Sequence, residues 1–214
     1  MIIDVALGLL PPPIPLPGQR YDRGAVRETI YTPELIFDGA CGTGAWGRAA
    51  RARWPLTTLI GLDRRDQLDP HDTTYDQTVT ADYLAWENPY PAFNLIIGTP
   101  PSSIAEAWVR YARQMLHHEH GRMLVLLPIA LLEGAERGVG LWKEYPPHTV
   151  WVCARRPPHR KVAYAFYYWQ HGVPYFGTRL GWVTWQDTEP TTHQRRPKRA
   201  GISAGIRTTA GIAE

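Results

Sequence analysis

From residue 35 onward, short apolar runs alternate with amphipathic stretches that repeat with a helical period. Continuous apolar runs of about four to eight residues are typical of strands that are buried on both faces of a sheet. The pattern predicts seven strands, over residues 35–38, 58–63, 78–82, 93–98, 121–128, 149–154 and 162–169. It also predicts helices over residues 44–54, 103–118 and 133–143. This alternation indicates an α/β domain with a mostly parallel sheet and helices on both faces.

The last two predicted strands are joined by a short loop, residues 155–161, that contains Pro157 and Pro158. A parallel connection needs a crossover of a dozen or more residues, usually a helix, and this loop is too short for one. We therefore expect the final two strands to pair antiparallel, as a terminal hairpin.

The two ends of the chain lack this regular pattern. Residues 1–33 are rich in proline and charge, which predicts an irregular N-terminal arm. The periodicity fades after Gly181, and the polar, basic composition from about Thr188 predicts a flexible tail. We expect an arm over residues 1–33, a folded domain over residues 34–186 and a basic tail over residues 187–214.

Bulk composition is that of an ordinary soluble domain. The chain has 214 residues, 44% hydrophobic and 20% charged, and a formal net charge of +3. The longest apolar run, residues 123–132, is too short to cross a bilayer, and Asp4 stands where a signal peptide would carry positive charge. Cys41 lies in a glycine-rich turn, where a disulfide to Cys153 would obstruct the backbone. We expect a cytoplasmic protein without membrane contact and with two reduced thiols.

A glycine-rich turn follows the first predicted strand directly and opens the first predicted helix. Glycines 42 and 44 allow backbone angles that other residues resist and let a ligand approach the main chain. In a doubly wound sheet this turn is where nucleotide-like ligands bind. The turn lacks the third glycine of a dinucleotide fingerprint and the Lys-Ser/Thr ending of a phosphate loop. The candidate cofactor-binding residues here are Asp38, Gly39, Ala40, Cys41, Gly42 and Gly44.

Two further carboxylates stand where such a site needs them. Asp63 ends the second predicted strand, where an acidic side chain accepts hydrogen bonds from ribose hydroxyls. Asp82 ends the third, and Tyr83 follows it; we include both among the candidate cofactor-binding residues. Each aspartate alone is more often a surface residue, but three acids ending three successive strands favour a shared site.

The segment Asp38-Gly39-Ala40-Cys41-Gly42-Thr43-Gly44 resembles the first motif of amino-directed DNA methyltransferases, Asp/Glu-Pro-Ala-Cys-Gly-x-Gly. The resemblance implies a Rossmann-like methyltransferase fold and S-adenosylmethionine as cofactor. It also implies that the turn carries the methionine portion of the cofactor and that a carboxylate at Asp82 holds its adenine amine.

The second motif of that family follows the fourth strand and reads Asp/Asn/Ser-Pro-Pro-Tyr/Phe/Trp; this chain has Thr99-Pro100-Pro101-Ser102 there. The resemblance implies that Thr99 and the Pro100 carbonyl accept the two hydrogens of an exocyclic amine. Such acceptors free the nitrogen lone pair for attack on the cofactor's methyl group.

The chain departs from this second motif in two places. Thr99 has a hydroxyl where Asp or Asn is usual, and Ser102 cannot stack on a flipped base. An aromatic side chain from elsewhere is an alternative, with Trp108, Tyr164, Phe166 and Trp169 as the candidates. We reject Asn88-Pro89-Tyr90 as the missing motif because it precedes the fourth strand.

Later segments extend the resemblance to small phage-type adenine methyltransferases over about residues 34–172. They include Leu124–Leu132 followed by Glu133-Gly134, Pro146–Val152 followed by Arg155-Arg156-Pro157, and the aromatic strand Ala163–Trp169. The resemblance suggests a phage-encoded origin.

Basic residues cluster in the loop between the last two strands and in the tail. Such clusters attract a phosphate backbone, although a solvated hairpin and a basic tail are the plainer interpretation of each. The candidate nucleic-acid-binding residues are Arg155, Arg156, Arg160, Lys161, Arg195 and Arg196. The histidines have no metal-ligand spacing, and we expect no metal.

Taken together, the sequence predicts transfer of a methyl group from S-adenosylmethionine to an exocyclic amine of DNA, with adenine N6 as the expected target and DNA as partner. Cytosine N4, RNA or another amine substrate remains open. A degenerate module that binds cofactor or nucleic acid without chemistry is the third alternative.

Overall fold

A single sheet forms the centre of the structure, a computed structural model that describes residues 2–10, 31–69, 71–157 and 161–184. The sheet has eight strands in these residues, in the order β3-β2-β1-β4-β5-β7-β6-β8. Strand β7 runs antiparallel to both of its neighbours, and the other paired strands are parallel. The strands are β1 Leu35–Asp38, β2 Thr58–Asp63, β3 Gln77–Thr80, β4 Leu95–Gly98, β5 Arg122–Pro128, β6 Thr149–Cys153, β7 Tyr164–Gln170 and β8 Arg179–Val183.

Helices cover both faces of this sheet, as the sequence pattern predicts. On one face α1 and α2 pack over a cluster that includes Trp46, Leu59 and Phe166. On the other face α3 and α5 pack over a cluster that includes Phe37, Trp108 and Tyr167. The helices are α1 Ile2–Gly8, α2 Ala45–Arg53, α3 Ala105–Met115, α4 Ala135–Val139 and α5 Leu141–Glu144. The α/β class and the antiparallel hairpin are therefore confirmed.

The predicted count of seven strands is wrong, because an eighth strand, β8, continues the sheet beside β6. Its residues pair in parallel with β6, from Arg179 opposite Thr149 to Val183 opposite Cys153. Of its five residues only Val183 is buried. An edge strand exposed in this way lacks the alternation of polar and apolar residues by which strands are recognised.

The N-terminal segment is not irregular throughout, so the prediction for residues 1–33 is wrong at its start. Helix α1 buries Ile2, Ile3, Ala6 and Leu7 in the same cluster as Trp46. The prolines begin only at Pro11, and the residues before them are free to form an amphipathic helix. The rest of the arm up to residue 30, and the tail predicted for residues 187–214, lie outside the described residues.

Element boundaries differ from the predicted ones by a few residues. The third strand ends at Thr80 instead of at residue 82. The helix predicted over residues 133–143 is two short helices separated by Gly140, whose φ of −101° and ψ of −100° are not helical. A 3₁₀ turn, Ser102–Ile104, precedes α3.

Candidate functional site

The ends of β1, β2 and β4 lie side by side at one edge of the sheet. Asp38 is opposite Gly61 of β2 and Ile97 of β4. Two backbone hydrogen bonds fix the turn after β1 between these strands: Gly39 N–H donates to Ile97 O over 3.2 Å, and Cys41 N–H donates to Leu62 O over 3.0 Å. Because parallel strands end at the same edge, the predicted residues of all three segments converge there.

The glycine turn has the backbone geometry that the sequence predicts. Gly42 and Gly44 have φ of 50° and 83°, a left-handed conformation that side chains disfavour. A Cβ added at Gly42 would meet only Asp63 Oδ2, 3.9 Å away, within contact range. The space over this part of the turn is therefore open to a ligand.

Asp63 is held against the turn. Its Oδ2 accepts a hydrogen bond from Gly42 N–H over 2.9 Å, and its Oδ1 accepts one from Arg65 N–H over 3.0 Å. The carboxylate thus has a fixed orientation at the end of β2, half-exposed beside the open space. Its position agrees with the one predicted for a ribose contact, and that role stays a prediction.

Asp38 is fully buried beneath the turn. Its Oδ2 accepts a hydrogen bond from Tyr75 OH over 2.7 Å, whereas Oδ1 has no hydrogen-bond partner by distance and angle among the described residues. Burial raises the pKa of Asp38 to about 7, against an opposing effect of Tyr75 and of the nearby backbone at Ala40 and Gly47. A carboxyl group held in this state titrates near neutrality.

Tyr75 belongs to this site but was missed by sequence reasoning. It lies in the loop before β3, where no motif marks it. A Cβ at Gly61 would lie 2.8 Å from its ring, and one at Gly47 would be closer still. These two glycines, together with the Tyr before β3, are the signal that could have identified it.

The next two predicted residues, Asp82 and Tyr83, lie in different environments. Asp82 is exposed two residues beyond the end of β3, and its Oδ1 accepts a hydrogen bond from Leu84 N–H over 3.0 Å. Tyr83 is buried, with its ring stacked 4.9 Å from Trp108 and 6.0 Å from Phe37. The hydroxyl of Tyr83 has no partner among the described residues.

This aromatic stack explains why residue 39 is glycine. A Cβ there would lie 2.6 Å from Tyr83 Cε2 and 2.9 Å from Trp108 Cζ2. Trp108 Nε1–H also donates a hydrogen bond to Gly39 O over 3.2 Å. The methyltransferase motif has proline at this position, and the stacked rings leave no room for one. Ala40 and buried Cys41 complete the turn, and burial raises the pKa of the Cys41 thiol.

The second motif begins with a hydroxyl that has one fixed partner. Trp46 Nε1–H, from α2, donates a hydrogen bond to Thr99 Oγ1 over 2.8 Å. Pro100 is buried, and among the described residues its carbonyl oxygen receives no hydrogen bond. Pro101 is exposed and its carbonyl accepts from Ile104 N–H over 3.1 Å, at the turn that opens α3. The Trp46 bond ties Thr99 to the helix that follows the glycine turn, and the acceptor roles of Thr99 and the Pro100 carbonyl stay predictions.

The last residue of the second motif is Ser102, where the related motif has an aromatic residue. Ser102 is exposed. The four aromatic residues considered as substitutes are buried core residues: Trp108, Tyr164, Phe166 and Trp169. None of the four is exposed beside Ser102 as an isolated stacking surface, and a stacking role for one of them stays a prediction.

The basic loop lies at the same edge of the sheet. Arg155 and Arg156 are exposed directly after β6, and Lys161 is exposed before β7. Arg160, Arg195 and Arg196 lie outside the described residues.

A cavity of about 960 Å³ lies at the opposite edge, against α3, α5 and the end of β7. Several of its polar groups are paired within the protein: Arg110 bridges Glu106 and Glu144, and the Tyr145 hydroxyl bonds His171. The buried Nε2 of His148 has no hydrogen-bond partner among the described residues. The residues predicted from motifs all lie away from it. Within the described ranges, no cluster of side chains is arranged to hold a metal ion, and no helix is long and apolar enough to cross a membrane.

Comparison with solved structures identifies the fold as that of S-adenosylmethionine-dependent methyltransferases. A Listeria monocytogenes protein assigned to class I of these enzymes superposes with a TM-score of 0.58 at 13% identity, over 70% of this chain and 58% of that one. The methyltransferase subunit of a type I restriction-modification system from Streptococcus thermophilus gives 0.55 at 15% identity, over 65% and 39%. A predicted O-methyltransferase from Agrobacterium tumefaciens gives 0.51 at 14% identity, over 86% of each chain.

The chain spans little more than half of the first of these proteins and well under half of the second. No protein-family model and no curated protein sequence matches this chain.

Proposed function

We propose that this protein transfers a methyl group from S-adenosylmethionine to an exocyclic amine of a DNA base, with adenine N6 as the target. One observation carries the proposal: the glycine turn and the Thr99-Pro100 turn lie side by side, joined by the Gly39–Ile97 and Trp46–Thr99 hydrogen bonds. This is the juxtaposition that a cofactor and an acceptor amine require for in-line transfer. The fold, shared with known methyltransferases, supports it.

The residues at the turn fit the cofactor. The open space over Gly42 admits a ligand next to the main chain, and Asp38 offers a buried oxygen without a partner. Gly42 and Gly44 would carry the methionine portion, Asp63 the ribose hydroxyls and Asp82 the adenine amine. When bound, S-adenosylmethionine supplies an electrophilic methyl group on a positively charged sulfur.

The chain's own residues then prepare the amine. The Pro100 carbonyl accepts one N–H, and Thr99 Oγ1 accepts the other through the lone pair that Trp46 leaves unused. These two bonds draw the nitrogen towards tetrahedral geometry and free its lone pair. The nitrogen could then form a bond to the methyl carbon as the bond from that carbon to sulfur breaks, and the surplus proton of the amine would pass to water. Trp46 acts as a positioning residue, because its indole fixes the direction of the Thr99 hydroxyl.

The exposed Ser102 favours one competing function. Without an aromatic residue at that position, a flipped base loses the stacking partner that the related motif supplies. A module that binds cofactor or nucleic acid without chemistry would not need that partner.

The test is to incubate the protein with methyl-labelled S-adenosylmethionine and unmethylated duplex DNA, digest the DNA and identify the labelled nucleoside. We expect label in N6-methyladenine. Thr99→Ala should lower kcat by about 100-fold or more, in the range seen when one preorganised hydrogen-bonding group is removed from an active site. Thr99→Ser, which keeps the hydroxyl, is the matched control and should retain most of the activity. Absence of label while the cofactor binds would contradict the proposal and favour the binding module.

A further inference from the structure

The part of the chain that forms β6, β7 and β8 contains no acidic residue. Between Glu144 and Asp187 every charged residue is basic. They are Arg155, Arg156, Arg160, Lys161 and Arg179. A surface with one sign of charge attracts a polyanion and raises its local concentration.

Strand β8, at the margin of the sheet, exposes large apolar side chains. Trp182 is 67% exposed and Leu180 is 58% exposed. These two share one face of the strand, because the alternate residues Gly181 and Val183 turn to the other face, towards Trp151 and the core. An indole ring left largely in water is unusual for a residue that is highly buried on average.

The exposed indole and the basic loop lie at the same end of the sheet. Because β8 is parallel to β6, Cys153 pairs with Val183, and Ala154 N–H donates to Val183 O over 2.9 Å. Arg155 and Arg156 follow immediately. This is also the edge at which Thr99 lies, four strands away, or about 19 Å at the usual strand spacing.

We propose that the carboxyl ends of β6 and β8 form a binding surface for a single-stranded segment of nucleic acid. Arg155, Arg156 and Lys161 contact its phosphates, and Trp182 stacks on one of its bases. A base inside a duplex has both faces covered, so an exposed indole selects unpaired bases. The surface would hold the strand about 19 Å from the methyl-transfer site, in which a base that has left its stack would lie. In that respect it deepens the proposed function and rests on it.

The test measures binding of fluorescently labelled single-stranded DNA by anisotropy, without cofactor, over a range of salt concentrations. Trp182→Ala should weaken binding at least about five-fold without changing the salt dependence, and Trp182→Phe should restore most of it. The double variant Arg155→Gln/Arg156→Gln should lower the slope of log Kd against log salt by about 1.4, since each single-strand phosphate contact contributes about 0.7.

Two matched controls come from elsewhere in the chain. Phe176→Ala removes an aromatic ring that is 92% exposed, in the loop before β8. Arg64→Gln/Arg65→Gln removes an exposed arginine pair after β2, within an acid-rich segment. Both controls should leave single-strand binding within two-fold of the wild type, a margin of about 0.4 kcal/mol.

Unchanged binding in the Trp182 and Arg155/Arg156 variants would overturn the proposal. So would a wild-type dimer that Trp182→Ala dissociates while nucleic-acid binding stays intact, because the face would then join two copies of the chain. Tighter binding of RNA of the same sequence would support the surface and make RNA its partner. Since no methyl transfer is measured, loss of binding in these variants supports the surface even if the methylation assay fails.

Discussion

The two halves of the sheet's carboxyl edge differ in charge and in whether neighbouring groups hold their side chains in place. At the β1–β2–β4 half, carboxylates end the strands and are held by neighbours: Asp38 by Tyr75, and Asp63 by the backbone of the glycine turn. At the β6–β8 half there is no acid, and exposed basic and aromatic side chains project from the edge. A held carboxylate suits a small polar ligand in a defined pose, whereas an exposed cationic surface suits a polyanion of variable sequence. We propose that this one edge of the sheet serves two recognition tasks.

The largest expected effect is on the free energy of unfolding, and it comes from the buried carboxyl group of Asp38. Its pKa of about 7 in the folded protein exceeds that of about 3.9 in an unfolded chain, so folding favours its protonated form. The resulting stabilisation is complete below about pH 4 and is lost as the pH rises through 7. The free energy of unfolding should therefore fall by up to about 4 kcal/mol over that interval because of this group.

Denaturant titrations at several pH values check this prediction, with Asp38→Asn as the comparison. The amide does not titrate, so the variant should show a markedly flatter dependence between pH 4 and 7. Equal slopes for the two proteins would show that Asp38 titrates normally.

Removal of the Asp63 carboxylate should abolish most cofactor binding. Asp63→Ala loses the group proposed to accept both ribose hydroxyls and also releases Gly42 N–H. We expect the Kd for S-adenosylmethionine to rise by about 100-fold, measured by isothermal titration calorimetry, as for the loss of two hydrogen bonds to a charged group. Asp66→Ala, an exposed acid three residues on, should leave the Kd unchanged. Equal affinities for wild type and Asp63→Ala would refute the ribose contact.

A methyl group at Gly39 should be destabilising because the aromatic stack fills that space. Gly39→Ala places a Cβ 2.6 Å from Tyr83 and 2.9 Å from Trp108, which we expect to cost about 1–3 kcal/mol of unfolding free energy. The control is Gly138→Ala in α4, where a Cβ meets nothing within 4 Å. The higher helix propensity of alanine should raise the unfolding free energy of this variant, by at most about 1 kcal/mol. Chemical denaturation of both variants measures the difference. A stability of Gly39→Ala equal to that of wild type would mean that the stack has room to move.

The smallest change in unfolding free energy is expected for a substitution at the exposed end of β8. Trp182→Ala should change the unfolding free energy by less than about 1 kcal/mol, since most of the ring already lies in water. Trp108→Ala, in the core beneath Gly39, should cost about 3–5 kcal/mol. A large loss of stability in Trp182→Ala would assign that side chain to packing instead of recognition.

The sequence predicted those parts of the molecule that are determined by the pattern of residues within a single element or turn. Buried strands such as Leu35–Asp38 are apolar throughout, and the glycine turn combines residue types with a backbone conformation that requires them. Strand β8 was missed because its pairing with β6 is decided by tertiary contacts, while its apolar residues lie on both faces and show no polar–apolar alternation. Tyr75 was missed for the same reason: its hydrogen bond to Asp38 joins residues 37 positions apart.

We propose above all that the cofactor lies on the glycine turn, in the β1–β2–β4 half of the sheet's carboxyl edge. The most direct test is ultraviolet crosslinking of radiolabelled S-adenosylmethionine to the protein, followed by tryptic digestion and mass-spectrometric mapping of the labelled peptide. We expect label in the peptide of residues 28–48, which contains the turn, and its loss in the presence of excess S-adenosylhomocysteine. Label confined to the peptides of residues 162–179 and 180–195, which carry β7 and β8, would contradict this proposal.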